Sequence, residues 1–321
     1  MSKIINVSRS NNLLPFLYYF EKKGIEWKAI AEKHHFPEDI MEGEYWLPSH
    51  QVMGFLNSMM RSSKQRIGLE VGRLITLEQI SPKLALEMLK CSNLEQALHR
   101  LIELMPKLSS HVVIWPEKIA GKWYICHRGA YHPTLPSYDQ AEWFRSFALL
   151  SLCRQFLGEF WQPNSVFMSF SEHLGKNLPR SFEATSFAFR HDFGALEVPL
   201  ADDFVPIEVD KIESNWQQSI QVLIETYASL PWFNIDWLAR FASTSARTLQ
   251  RRFTEQGSNF RELKDKARCE KAKQLLSEKC PVYEAAWQCG YTDLSNFNRA
   301  FKGWTKQTPS QYQRSCIARL L

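Results

Sequence analysis

The sequence predicts two unlike parts. The first is an α+β N-terminal domain, with a helical front half followed by a small sheet with helices. The second is an all-α C-terminal domain in which two helix-turn-helix units are joined by a long helix. Three observations carry this. The excess of basic charge is confined to the end: from Pro231 to Leu321, sixteen Lys and Arg stand against eight Asp and Glu, in a chain whose net charge is only +5. Apolar residues three and four apart dominate up to Met105 and then give way to short β-type runs. A pattern of two short helices and a tight turn occurs twice after Asn234.

Composition narrows the class. The 321 residues are 45% hydrophobic and 23% charged, which fits a folded globular chain and excludes wholesale disorder. No apolar run reaches the ~18 residues of a membrane span; Phe144 to Leu157 comes nearest and is broken by Arg145 and Arg154. The stretch Leu13 to Phe20 is too short for a signal peptide and has no small-residue cleavage site. A soluble, cytoplasmic protein with no membrane partner is expected. The seven cysteines are scattered without a C-x-x-C pair, so neither a disulfide framework nor a zinc site is expected. His34-His35 and the pair His127 and His132 lack a third ligand at a recognisable spacing. No G-x-S-x-G, H-E-x-x-H or phosphate-binding glycine loop occurs. The chain therefore reads as a non-enzyme with no cofactor, no catalytic residue and no metal.

Five helices are predicted first: Leu13 to Lys23, Trp27 to His34, Pro48 to Arg61, Ser81 to Lys90 and Leu94 to Met105. His111 to Trp115 and Lys122 to His127 read as strands around Gly121, a hairpin signal. Tyr138 to Phe160 is predicted as a helix with an aromatic and aliphatic face. Val166 to Phe170 and Phe187 to Arg190 read as strands, and Ala195 to Pro199 is ambiguous. Val209, Ile212, Trp216, Ile220, Leu223, Ile224 and Tyr227 have mixed three- and four-residue spacing. They predict a helix within Pro206 to Leu230 rather than a loose tether. The expected domains are residues 1–205, a helical linker 206–230, and 231–321.

In the basic segment, Asn234 can cap a short helix carrying Ile235, Leu238 and Phe241, and Ser245 can cap a second, Ala246 to Gln256, ended by Gly257. The pattern returns with Pro281 opening a helix, Cys289-Gly290-Tyr291 turning, and Asp293 capping Leu294 to Gly303. Leu249 and Phe253 are four apart, as are Phe297 and Phe301, so each pair faces inward. In matching phase the other face carries Arg247, Gln250, Arg251 and Thr254 in the first helix, and Ser295, Asn298, Arg299 and Lys302 in the second. All are hydrogen-bond donors and none is acidic. Arg holds guanine O6 and N7, and Gln and Asn hold adenine N6 and N7; Lys and Ser more often bind phosphate. Between the units, Phe260, Leu263, Ala267, Leu275 and Leu276 form the buried stripe of a long helix. Two heads on one chain would read an asymmetric site without dimer symmetry.

These residues resemble the AraC/XylS family of bacterial transcription regulators. Ser245, Arg247, Leu249, Arg251 and Phe253 look like its first recognition helix, and Gly257, Phe260, Arg268, Ala272, Leu275 and Leu276 like its linker. Gly290-Tyr291-Thr292-Asp293 with Ser295, Phe297, Arg299, Ala300, Phe301 and Lys302 resembles its strongest signature, and Thr308-Pro309 with Tyr312 its close. Tyr291 stands where Phe is usual, Gly303 replaces a common basic residue, Lys306 replaces a common glycine, and Gln313 stands where Arg is frequent. The resemblance implies two second helices in adjacent major grooves of double-stranded promoter DNA. Carried onto this sequence, the DNA-binding residues are Ser245, Arg247, Gln250, Arg251, Leu294, Ser295, Asn296, Asn298, Arg299 and Lys302. It further implies RNA polymerase as a partner and, by family habit, activation.

The N-terminal part is similar to the effector domain of one AraC-type subgroup, labelled arabinose-binding despite varied ligands. Gly68-Leu69 with Gly72, Ser92 to Leu98, Phe182-Glu183-Ala184 and Leu196 to Leu200 carry the similarity. It implies a small-molecule effector and allows a homodimer. Tyr124, His127 and Arg128, near the end of the expected hairpin, and Trp143 and Arg145 on the following helix, are the candidate effector-binding residues. The competing readings are DNA binding without effector control and a DNA-repair alkyl acceptor. The second needs an activated thiolate beside a base, and no such Cys-His setting is present.

Overall fold

The computed structural model describes residues 5–133, 135–175, 182, 184–207 and 216–318. The chain divides into two compact units, Met1–Asn215 and Trp216–Leu321.

The first unit opens with β1 (Val7–Arg9), paired antiparallel with β2 (Trp46–Pro48). The helices α1 (Leu14–Lys22), α2 (Lys28–Lys33), α3 (Ser49–Ser63), α4 (Ile67–Gly72), α5 (Leu77–Ile80), α6 (Pro82–Met88) and α7 (Leu94–Leu104) make up the front half. Local chemistry sets several of their ends. The Ser81 hydroxyl accepts from the Leu84 N–H ahead of Pro82, and the Asn93 side chain accepts from the Gln96 N–H. The expected hairpin forms as β3 (Val113–Ile119) and β4 (Lys122–Arg128). Ala120 and Gly121 both take positive φ, as a two-residue turn between right-twisted strands requires.

With β5 (Ser165–Phe167), β6 (Ser186–Ala188) and β7 (Gly194–Glu197), the hairpin completes a five-stranded sheet of order β3-β4-β7-β5-β6. The pair β5 and β6 is parallel and the others antiparallel. The ambiguous stretch after Phe193 is thus β7, a central strand. Glu183 of the quoted similarity lies outside the described residues, as do Val209 and Ile212.

One helix, α8 (Tyr138–Leu157), lies between the sheet and the front half, touching α4, α5 and α7 as well as β4 and β7. It is buried nearly all round, from Trp143 and Phe147 to Leu149, Leu150 and Cys153. The fit of α4 against it depends on Gly68: a Cβ there would lie 2.1 Å from the Gln140 carbonyl oxygen. The Gly68 N–H donates to Gln140 Oε1 at 2.7 Å.

The second unit is helical in its described residues: α9 (Trp216–Tyr227), α10 (Ile235–Phe241), α11 (Ala246–Glu255), α12 (Phe260–Ser277), α13 (Val282–Gln288), α14 (Leu294–Thr305) and α15 (Pro309–Ala318). The helix expected between the halves is α9, grouped with this unit and packed on α12. Around Tyr227, the rings of Phe233, Trp237 and Phe241 close one aromatic core. Phe297 and Phe301 close a second with Ala272, Leu276, Ala285, Ala286 and Cys289. α12 contributes Ala272 and Leu276 to the second core, and Phe260, its first residue, packs its ring tilted against Phe233 of the first.

Candidate nucleic-acid interface and ligand cavity

Two exposed helix faces are built alike. In α11, Leu249 and Phe253 are buried. That anchor turns Arg247, Gln250, Arg251 and Thr254 outward, and all four are exposed. In α14, Phe297 and Phe301 are fully buried. Ser295, Asn296, Arg299 and Lys302 are exposed, Asn298 is half-buried, and Leu294 is 43% exposed.

Capping fixes where each face starts. The Ser245 hydroxyl accepts from the Thr248 N–H at 3.1 Å, and Asp293 Oδ1 accepts from the Asn296 N–H at 2.8 Å. Ser245 is therefore already engaged as a cap. The turn before α14 rests on Gly290, at φ +78°, where a Cβ would lie 1.9 Å from the Ser229 carbonyl oxygen. No L side chain fits there.

The charged groups on these faces are lightly held. Arg251 Nε lies 3.7 Å from Glu255, with both side chains more than half exposed, a pairing worth little in water. Arg299 Nη2 donates to Asn296 Oδ1 at 2.6 Å, which holds the guanidinium along the helix. Other arginines of this unit are committed inward. Arg268 Nε donates to the Ala228 carbonyl at 2.7 Å and its guanidinium covers Tyr291, while Arg252 lies 4.3 Å over the Trp216 ring.

The first unit holds a cavity of about 160 Å³. Its wall comes from α1, α3, α5, α6, α7, the hairpin and one stripe of α8. That stripe is Tyr138, Ala141, Phe144, Arg145, Ala148, Leu149 and Leu152. Of the five candidate effector residues, His127 and Arg145 line it. The other three lie elsewhere. Tyr124 is on the opposite face of β4, stacked on Phe167. Trp143 is buried against Phe147, Phe170 and Phe187. Arg128 is exposed at the end of β4.

His111, Tyr131 and Tyr138 join Arg145 and were not singled out from the sequence. The signal available for Tyr138 was its place seven residues before Arg145 on one helix face. Nothing local marks His111 or Tyr131. Burial pulls the His111 imidazole down to about 3, with Arg145 adding to the effect, and it pulls His127 the same way for the same two reasons. Both rings are neutral near pH 7. His127 Nε2 is 3.0 Å from Ser146 Oγ, and His111 Nε2 is 3.1 Å from Ser8 Oγ.

Among the described residues, no helix is long and apolar enough to cross a membrane, and no group of three His, Cys, Asp or Glu side chains is placed to hold a metal ion.

Residues 24–202, more than half of the chain, match the family described as the arabinose-binding domain of AraC transcription regulator, N-terminal. Residues 238–315 match a helix-turn-helix domain. The ornithine utilization regulator of Pseudomonas aeruginosa is 36% identical over 83 residues, which are 26% of this chain and 24% of that protein. The transcriptional activator RhrA of Rhizobium meliloti is 24% identical over 217 residues, 67% of this chain and 65% of that one. Among solved structures, the transcriptional regulator CdpR from Pseudomonas aeruginosa is 20% identical, with a TM-score of 0.39 over 95% of this chain and 98% of that one. The chain thus spans less than two thirds of the length of either curated relative.

Proposed function

The chain belongs to the AraC family of transcription regulators that carry an arabinose-binding-type N-terminal domain, and on that premise we propose that it is a sequence-specific DNA-binding regulator under the control of a small-molecule effector. The observation that carries this is the pair of exposed donor faces on α11 and α14, each backed by two buried apolar anchors four residues apart. As two helix-turn-helix units, α10–α11 and α13–α14 would each set their second helix in a major groove. Arg251 and Arg299 occupy equivalent places and are assigned to base edges. Arg247 is likewise assigned to a base edge, and Lys302 to a phosphate, which sets the register.

The mechanism is linkage. An effector bound in the first unit favours one state of the chain, and that state binds promoter DNA or RNA polymerase differently. The cavity favours effector control over DNA binding without it. The action is a binding event in the cytoplasm rather than catalysis, and a homodimer is compatible with it.

Genomic occupancy of the intact protein tests the reading. Discrete sites are expected, and the double variant Arg251→Ala/Arg299→Ala should lose them. On purified duplexes, Arg251→Ala alone should remove about 1–3 kcal/mol of preference between sites. A uniform loss on all DNA would reassign Arg251 to phosphate. Equal affinity of the unaltered protein for unrelated duplexes at one salt concentration would sink sequence-specific recognition.

A further inference from the structure

The cavity of the first unit has an uneven wall. Most of it is hydrocarbon, including Phe16, Met53, Leu84, Met88, Leu101 and Leu152. The polar groups beside β1 are occupied with one another: Ser8 Oγ lies within 3.4 Å of Ser49, Ser109 and His111. Arg9, also in the wall, is stacked on Trp46 at 4.6 Å.

Arg145 is different. Its Nε and Nη2 are buried and make no hydrogen bond among the described residues. The guanidinium stands beside Gly129 and 5.6 Å over the Tyr138 ring. Glu142, one turn earlier on α8, has its carboxylate taken by the N–H and hydroxyl of Ser169. None of the ion pairs among the described residues involves Arg145. The Glu142 carboxylate feels its charge, but the buried Nε and Nη2 are left without an acceptor, which is costly. Nε and Nη2 lie on one edge of the guanidinium, the spacing that a carboxylate accepts with both oxygens.

We propose that this cavity binds a small monocarboxylate with an apolar body. Its carboxylate accepts from Nε and Nη2 of Arg145, and its hydrocarbon lies along Ala148, Leu149 and Leu152 of α8. The size fits: an apolar cavity of ~150 Å³ takes a benzene-sized ligand. A sugar fits poorly, because each buried hydroxyl needs a partner, most of the wall is hydrocarbon, and the hydroxyls of Ser8, Ser49 and Ser109 are already engaged with one another. A cationic or zwitterionic ligand would leave an ammonium among hydrocarbon and beside Arg145. The assignment names the effector class of the regulator reading and rests on that reading for its regulatory consequence.

Calorimetric titration of the full chain tests it, with hexanoate and phenylacetate as probes and hexanamide and arabinose as uncharged controls. At least one acid should bind and raise the unfolding midpoint. Hexanamide should bind about tenfold to a hundredfold more weakly than hexanoate. Arg145→Met should erase the difference between acid and amide. Ala148→Phe, filling the cavity, should block both with an unchanged circular dichroism spectrum. Absence of binding by either acid, undiminished acid binding by Arg145→Met, or tighter binding of arabinose would overturn the proposal. Specific DNA occupancy, measured on the same preparation, separates the two failures. Specific DNA binding without acid binding sinks only the ligand class. Acid binding without specific DNA binding keeps the site and sinks the regulator.

Discussion

Lys264 sits on α12 with its ammonium against the Phe233 carbonyl and 5.4 Å from that ring's centroid. Burial pulls its pKa from 10.5 down to about 8; Arg268 adds to the shift and Asp265 opposes it. The unfolded chain therefore holds this proton to a higher pH than the folded one. Between those values the unfolded state binds more protons, so stability contributed by this site rises with pH. Below about pH 8 the cost of the buried charge is present in full. Denaturant unfolding of the intact protein and of Lys264→Met, compared between about pH 7 and pH 10, should show the unaltered protein gaining on the variant as pH rises. The gain should be small, since the side chain is half open to water. Parallel curves would mean that the lysine titrates alike in both states. Such single-residue facts are mostly illegible beforehand. Lys306 ends α14 in the left-handed region at φ +63°, at the place where the sequence comparison expected glycine. Gln313, standing for an expected arginine, donates instead to the Cys280 carbonyl at 2.8 Å. Both depend on backbone that residues far along the chain position.

The legible elements have local causes. α10 and α11, like α13 and α14, start at side-chain caps or a proline; α11 stops before Gly257 and the turn between α13 and α14 rests on Gly290, so a few residues determine each boundary. Apart from α15, whose ten residues were read only as the family's closing motif, the elements the sequence reading passed over are short. β1 and β2 have three residues each, α4 six and α5 four, too few for a period to show. β7 was ambiguous because Gly194, Ala195 and Leu196 are all buried; a strand covered on both faces loses its alternation. The caps also carry a prediction. Ser245→Ala should cost about 1 kcal/mol of stability by freeing the Thr248 N–H. As a cap, Ser245 should affect matched and scrambled duplexes equally when their affinities are compared. A change in preference between them would show that the hydroxyl reads a base.

At the scale of the whole molecule, charge was legible and the cavity was not. Net charge needs only counting, and the excess after Pro231 directed attention to the segment that bears the two donor faces. The cavity wall draws on residues as distant as Phe16, Leu84, Ile114 and Arg145. Nothing in a local window brings them together, so the sequence reading found only the two wall residues that lie near the hairpin. The charge distribution makes its own quantitative prediction. Each phosphate neutralised by a Lys or Arg releases condensed counterions, so the logarithm of affinity falls linearly with the logarithm of salt concentration. Two heads that engage about 6–10 phosphates should lose about 10³–10⁵-fold in affinity between ~50 and ~200 mM salt. Lys302→Ala, as a phosphate contact, should lower that slope by about 1 and weaken all sequences alike. Arg251→Ala should instead change preference while leaving the slope almost unaltered. Fluorescence anisotropy at four or five salt concentrations, on one matched and one scrambled duplex, separates these cases. A slope near zero for the unaltered protein would remove the electrostatic basis of the DNA interface, and equal slope losses for both variants would remove the distinction between register and readout.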